Sequence, residues 1–347
     1  MGSPPQTYPI QDQLERPLRS LRLSLTDRCN LRCDYCMPEE TYNWLPRKDI
    51  LTLEEHAEIA SVFVKLGVTR IRLTGGEPLL RKNISVLIKL LAANSTLQDL
   101  AMTTNATLLP QYADELFQAG LKRVTVSLDS LHPDTFHKLT RRNALAETLL
   151  GIDAAVNAGF ESIKLNMVVL RGVNHHEIPS MLRFASRIGA ELRFIEYMDV
   201  GGANNWHAQK VVSQDEILKL VESEFGCVAQ MRGAPHAPAN SFILESGQPF
   251  GIIASTTKPF CASCDRSRIT ADGVWYHCLY SPTGINLRDR LRSSASTHEL
   301  EEFITQSWKK RQSQGAQDRL NTDNRGPLLP LSQLQKNPRL EMHTRGG

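Results

Sequence analysis

From residue 18 to about residue 200 the chain switches repeatedly between two spacings of apolar residues. Leu21-Arg22-Leu23-Ser24-Leu25-Thr26 alternates with period two and predicts a strand. Thr52-Leu53-Glu54-Glu55 is a capping box, and behind it Ala57, Ile59, Ala60, Phe63, Val64 and Leu66 recur at helical spacing until Gly67. The alternation then repeats. Strands are predicted at 70–74, near 98–103, at 123–127, at 163–168 and at 192–196, with helices near 83–92, 111–119, 144–158 and 175–188. Six βα-type repeats with short links are the pattern of a parallel sheet wound with helices. Beyond residue 205 Pro- and Gly-rich stretches separate short apolar runs such as Phe242-Ile243-Leu244, which predicts a smaller second domain laid against the first. The expected division is an N-terminal arm over 1–17, a βα unit over 18–205, a C-terminal domain over 206–325 and a tail over 326–347.

Charge changes this picture at four points. Arg22, Arg72, Lys164 and Arg193 each interrupt an otherwise apolar strand, and a parallel sheet covered by helices on both faces tolerates no unpaired charge. One explanation is that each cation pairs with a buried carboxylate or snorkels at a strand end. The other is that they face the lumen of a barrel or half-barrel, and such a lumen calls for a polyanion. The spacing itself permits an open doubly wound sheet as well as a barrel.

Composition excludes several classes. Hydrophobic content of 41% with 22% charged residues is that of a soluble globular protein, and a net charge of +3 is too small to make nucleic acid or an anionic membrane the main partner. The most apolar stretch, Val86 to Ala93, is broken by Lys89 and is too short to span a bilayer. Pro4, Pro5, Pro9 and Pro17 mark a loose arm rather than a secretory signal. Six of the seven cysteines fall in two tight groups, which predicts metal binding in a reducing cytoplasm rather than disulfides; Cys227 stands alone and is expected to be a buried structural thiol.

The first group, Cys29-x3-Cys33-x2-Cys36, directly follows the first predicted strand. Three thiolates in one short loop suit a soft metal centre, yet leave an iron–sulfur cube one ligand short. A distant ligand completes the set, or one iron stays open; a zinc knuckle and unconnected buried thiols are the alternatives. The second group is Cys261-x2-Cys264 with Cys278, where a zinc ribbon using His277 is the rival reading.

The first cysteine motif with Tyr35 before its last member, followed by Gly75-Gly76-Glu77-Pro78 at the end of the second predicted strand, resembles the radical S-adenosylmethionine superfamily. Cys261-Ala262-Ser263-Cys264-Asp265-Arg266-Ser267-Arg268, Thr103-Thr104-Asn105, Ser127-Leu128-Asp129-Ser130, Glu196-Tyr197-Met198-Asp199 and the terminal Gly346-Gly347 narrow this to the GTP 3′,8-cyclases of molybdenum cofactor biosynthesis. The likeness runs from about residue 12 to the end. It implies an α/β fold, an incomplete (β/α)6 TIM-type radical S-adenosylmethionine barrel with a smaller C-terminal domain carrying a second cluster.

The resemblance further implies two [4Fe–4S] clusters, one on Cys29, Cys33 and Cys36 and one on Cys261, Cys264 and Cys278. In the family S-adenosylmethionine chelates the open iron of the first and is cleaved to a 5′-deoxyadenosyl radical. That radical takes the 3′ hydrogen of GTP, and C3′ bonds to guanine C8. Tyr35, Gly76, Ser127 and Met198 would contact S-adenosylmethionine; Arg22, Arg72, Thr103, Lys164, Arg193, Arg266 and Arg268 would contact GTP; Arg345, Gly346 and Gly347 would insert into the active site as a catalytic tail. A reduced flavodoxin- or ferredoxin-type electron donor, a homodimer and transfer of the product to cyclic pyranopterin monophosphate synthase come with the family. Two departures stand out. Ala106 replaces a glycine of the family's Thr-Asn-Gly turn, and Asp265 replaces an asparagine, where it is expected to pair with Arg266 and weaken phosphate binding.

Overall fold

A computed structural model describes residues 9–200, 206–233, 236–293 and 296–346. Six parallel strands, β1 (Ser20–Ser24), β2 (Arg70–Thr74), β3 (Asp99–Thr104), β4 (Arg123–Ser127), β5 (Ser162–Val169) and β6 (Glu191–Glu196), lie side by side in chain order. Unreversed order means that every crossover runs the same way. The sheet is therefore wound once, as in a barrel, and lacks the order reversal of a doubly wound sheet. The crossovers are α1 (Leu53–Lys65), α2 (Ile84–Ala92), α3 (Leu109–Gln118), α4 (Pro133–Thr140), α5 (Leu145–Asn157) and α6 (Ile178–Arg187). Thr52 opens α1 with the expected capping box, its hydroxyl accepting from Glu55 N.

Alternation along each strand separates two environments. Leu21, Leu23, Ile71, Leu73, Val124, Val126, Leu165, Leu192 and Phe194 form the core beneath the helices. Their neighbours Arg22, Arg72, Thr125, Lys164 and Arg193 occupy the other face, and register places Arg268, Arg22 and Arg72 in one row across three adjacent strands. The cations thus share a concave inner face.

The C-terminal part lies against the βα unit by extending the same sheet at both edges. After α7 (Gln214–Phe225), strands β7 (Val228–Met231), β8 (Asn240–Leu244) and β9 (Pro249–Ile253) attach through β9 to β6; β10 (Arg266–Ile269), β11 (Val274–Tyr276) and β12 (Ile285–Asn286) attach through β10 to β1. The result is a twelve-stranded sheet in which, among the described residues, no pairing closes β7 to β12. Helices α8 (Arg288–Arg292), α9 (Thr297–Lys309), α10 (Gly315–Leu320) and α11 (Leu331–Lys336) follow.

Two expectations are corrected, and one helix is added. The N-terminal arm is not loose over residues 9–17, since Asp12 and Arg16 are buried. Cys227 is exposed at the start of the β7 edge rather than buried. Helix α4 went unrecognised because it is short, begins on Pro133 and ends on Arg141 in the left-handed region (φ 54°) instead of on glycine.

Candidate active site

The first cysteine loop is moored on three sides by backbone hydrogen bonds. Gly76 N donates to Thr26 O and Glu77 N to Arg28 O, both at 2.8 Å; Arg32 N and Asp34 N donate to Thr140 O and Leu139 O at the end of α4, both at 2.9 Å. Asn105 Nδ2 donates to Asn30 Oδ1 (2.8 Å) and lies 3.8 Å from Cys29 Sγ. Ala106 keeps the expected turn at φ 65°, a left-handed conformation that costs a non-glycine residue about 1 kcal/mol.

A cavity of about 310 Å³ opens on the inner face of the sheet. Cys29, Cys33 and Cys36 border it together with Cys261, Cys264 and Cys278, so residues more than two hundred positions apart share one chamber. All six thiols are free, and none pairs with another. Among the described residues no three His, Cys, Asp or Glu side chains converge as a single-ion site requires; the two trios instead ring the cavity. Tyr35, Gly76, Ser127, Met198, Arg22, Thr103, Arg266 and Arg268 also line it.

The electrostatics divide the chamber. Burial pushes Cys29 up to about 11 and also raises Cys33 and Cys36, so these thiols become thiolates readily only when a cation meets them. Burial also acts on Cys264, yet Arg266 and Arg311 beside it bring that thiol down to about 7. Arg22 is half-buried, and desolvation together with the like charges of Arg268, Arg266 and Arg72 lowers its proton affinity. A cluster of guanidiniums with little carboxylate among them is a receptor for a polyanion such as a triphosphate. Both trios therefore fit iron–sulfur ligation, the first through a three-thiol loop short of one ligand and the second through thiols set against fixed positive charge.

Four other candidate residues, Arg72, Lys164, Arg193 and Arg345, are not among the residues lining this cavity. Arg72 Nη1 donates to Thr125 Oγ1 of β4 (3.0 Å). Lys164 and Arg193 are both held by Glu191, at 2.5 and 2.7 Å, at the opposite end of β5 and β6 from the cysteine loop. The Arg345 side chain turns from the cavity to donate to Leu279 O (2.6 Å) and Arg339 O (2.9 Å) over the Tyr276 ring. The tail itself does enter the inner face. Arg345 O accepts from Arg268 Nη1 (3.2 Å) and Gly346 O from Arg22 Nη1 (3.1 Å); a Cβ on Gly346 would lie 2.1 Å from Thr74 Oγ1, and Gly347 lies outside the described residues. Asp265 does not pair with Arg266. It pairs with Arg70, while Arg266 lies over the Phe260 ring and beside Cys264 Sγ.

Sequence reasoning passed over two carboxylates. Glu77 is fully buried and its carboxyl is pushed up to about 7, despite donors from Leu79 N, Asn105 N and Thr104 Oγ1. Asp129, pushed up to about 6 by burial, accepts from Tyr35 Oη at 2.5 Å and fixes that ring at the cavity wall. Each lies two or three residues beyond the end of a strand, within a motif named above, which was the available signal. Asp199, buried beside Met198, binds Arg319, Arg325 and Tyr280 Oη, and no local pattern announces it.

Comparison with known proteins agrees with this geometry. Residues 23–185 match the Radical SAM superfamily, and residues 190–317 match Molybdenum Cofactor Synthesis C. GTP 3′,8-cyclase 1 of Mycobacterium tuberculosis is 48% identical over 351 residues, covering 100% of this chain and 98% of the relative. The GTP 3′,8-cyclase of Aquifex aeolicus is 46% identical over 304 residues, covering 87% of this chain and 92% of the relative. In fold the chain is similar to SuiB of Streptococcus suis, solved bound to S-adenosylmethionine, with a TM-score of 0.56, 17% identity and coverage of 83% of this chain and 68% of that one.

Proposed function

The chain belongs to the GTP 3′,8-cyclase family of the radical S-adenosylmethionine superfamily, and on that premise we propose that it converts GTP to (8S)-3′,8-cyclo-7,8-dihydroguanosine 5′-triphosphate in molybdenum cofactor biosynthesis. The observation that carries this reading is the single chamber bordered by both cysteine trios, with Arg22, Arg266 and Arg268 among its walls. Cys29, Cys33 and Cys36 would hold one [4Fe–4S] cluster, and Cys261, Cys264 and Cys278 a second. Bound there, the first cluster would deliver an electron to S-adenosylmethionine and so supply a 5′-deoxyadenosyl radical able to take the 3′ hydrogen of GTP, with one further electron and one proton needed to complete the C3′–C8 bonded 7,8-dihydro product.

The protein's own contribution is placement and exclusion. Tyr35, Gly76, Ser127 and Met198 present the cofactor-facing wall, with Tyr35 held by Asp129. Arg22, Arg266 and Arg268 give charge-assisted donors for the substrate's anionic groups, with Thr103 beside them. Arg72, Lys164 and Arg193 extend the positive field along the inner face, where Glu191 preorganises two of them. The tail seats Gly346 between Arg22 and Thr74, so ordering of the terminus and of the substrate cations is linked. A reduced flavodoxin- or ferredoxin-type donor, a homodimer, cytoplasmic location and transfer of the product to cyclic pyranopterin monophosphate synthase belong to the same proposal. Among the described residues no helix is long and apolar enough to cross a membrane.

Anaerobic incubation with reductant, S-adenosylmethionine and 3′-deuterated GTP tests it. Deuterium in 5′-deoxyadenosine together with a cyclised GTP product is the expected result. Unlabelled 5′-deoxyadenosine with GTP recovered intact would reject GTP as the substrate.

A further inference from the structure

Behind the second cysteine group lies a buried charge arrangement that the proposed chemistry does not use. Asp12 Oδ2 accepts from Arg16 Nε (2.8 Å) and Arg311 Nη1 (2.9 Å), while Asp12 Oδ1 accepts from Leu14 N and Arg16 N, both at 2.9 Å. The same two arginines reach onward to the cysteine loop. Arg16 Nη1 donates to Cys261 O and Ser313 O, each at 3.0 Å, and Arg311 Nη1 donates to Cys264 O at 3.0 Å. Side-chain exposure is 2% for Arg16, 1% for Arg311 and 0% for Asp12. Trp308 closes the outside, its ring under Arg311 at 4.5 Å and its Nε1 donating to Arg16 O.

Two buried guanidiniums against one carboxylate leave a surplus positive charge, which is costly in a protein interior unless an anion balances it. The anion at hand is the cysteine group. A [4Fe–4S]²⁺ core on three thiolates is a net anion, and each arginine grips the peptide carbonyl of one of the ligands. We propose that Asp12, Arg16 and Arg311 form a positioning bracket that sets the Cys261–Cys264 loop in its ligating geometry and supplies the counter-charge that fixes the second cluster's reduction potential. This rests on the reading that Cys261, Cys264 and Cys278 hold a cluster. Buried positive charge favours the reduced, more negative state. Loss of Arg311 therefore lowers the potential, and loss of the Asp12 charge raises it.

The experiment is an EPR-monitored redox titration of full-length holoenzyme with iron quantitation, comparing wild type with Arg311→Met, Arg311→Lys and Asp12→Asn. The signal that changes on adding S-adenosylmethionine reports the first cluster, and the unresponsive signal reports the second. Arg311→Met is expected to move the second signal to more negative potential or to lose its iron, from about eight per chain to about four. Arg311→Lys is expected to restore both, Asp12→Asn to move the signal to more positive potential, and the first signal to stay in place throughout. Wild-type potentials in both Arg311→Met and Asp12→Asn at full iron content would overturn the proposal. So would iron loss in Arg311→Met that lysine fails to restore, since the role would then be packing alone. Wild-type protein that loads only about four irons would instead refute the second cluster itself, a result distinguishable from either.

Discussion

Gly76 sits where strand β2 meets the cysteine loop, and replacing it by alanine is the sharpest single perturbation the fold offers. A Cβ at this position would lie 2.2 Å from Arg28 O, 2.5 Å from Arg28 C and 3.0 Å from Cys29 N, all of them backbone atoms. A carbon–oxygen contact relaxes only at about 3.3 Å, so the two segments must part by about 1 Å. That seam is closed by Gly76 N to Thr26 O and Glu77 N to Arg28 O, each at 2.8 Å, and neither bond survives such a parting. Two lost hydrogen bonds at about 1 kcal/mol each, with about 1–3 kcal/mol of overpacking, give about 3–5 kcal/mol. This cost falls on the loop rather than the whole fold, because the bonds to Thr140 O and Leu139 O stand elsewhere. Iron per chain in Gly76→Ala should therefore drop from about eight toward about four, and reductive cleavage of S-adenosylmethionine should fail, while circular dichroism keeps the wild-type helix signal. Full iron loading with wild-type cleavage would refute the steric reasoning.

Three further outcomes follow from the same structure. Asp199 is a buried acceptor for Arg319 and Arg325, so Asp199→Ala strands two arginines and should cost about 3–5 kcal/mol, read as a lower melting temperature and earlier proteolysis within residues 315–328. Glu77 has its carboxyl raised from 4.5 to about 7, which means that the unfolded chain releases this proton first; stability should decline as pH rises from about 4.5 to 7 in cluster-free protein, and Glu77→Gln should remove that slope in denaturant titrations. A stability difference between the two proteins that ignores pH would contradict the assignment. Deleting Gly346 and Gly347 withdraws the carbonyl held by Arg22 and should abolish cyclised product while iron content stays at the wild-type value; normal turnover of the truncated enzyme would show that the tail plays no part.

The strands and the cysteine loop were legible in the sequence because each is a short-range pattern, whereas the spacing left a doubly wound sheet and a barrel both open until the unreversed strand order decided between them. Period-two alternation in Arg70–Thr74 or Arg123–Ser127 already separates a core face from an inner face, and a βα repeat allows few ways to stack the result. The motif residues Glu77 and Asp129 could be located the same way, although their burial, and hence their raised carboxyl groups, could not.

What the tertiary structure alone decided is which charges meet. Lys164 and Arg193 look equivalent to Arg22 along the chain, yet Glu191 claims both, whereas Arg22 faces the chamber. Asp265 is next to Arg266 in sequence but, just before β10 begins, pairs with Arg70 two strands away across β1, while Arg266 lies over the Phe260 ring. The second cysteine group reaches the first only because β10 joins the edge of the sheet at β1. Periodicity determines the face a side chain occupies; its partner on that face depends on strands joined across the whole chain, and an electrostatic site is made of partners.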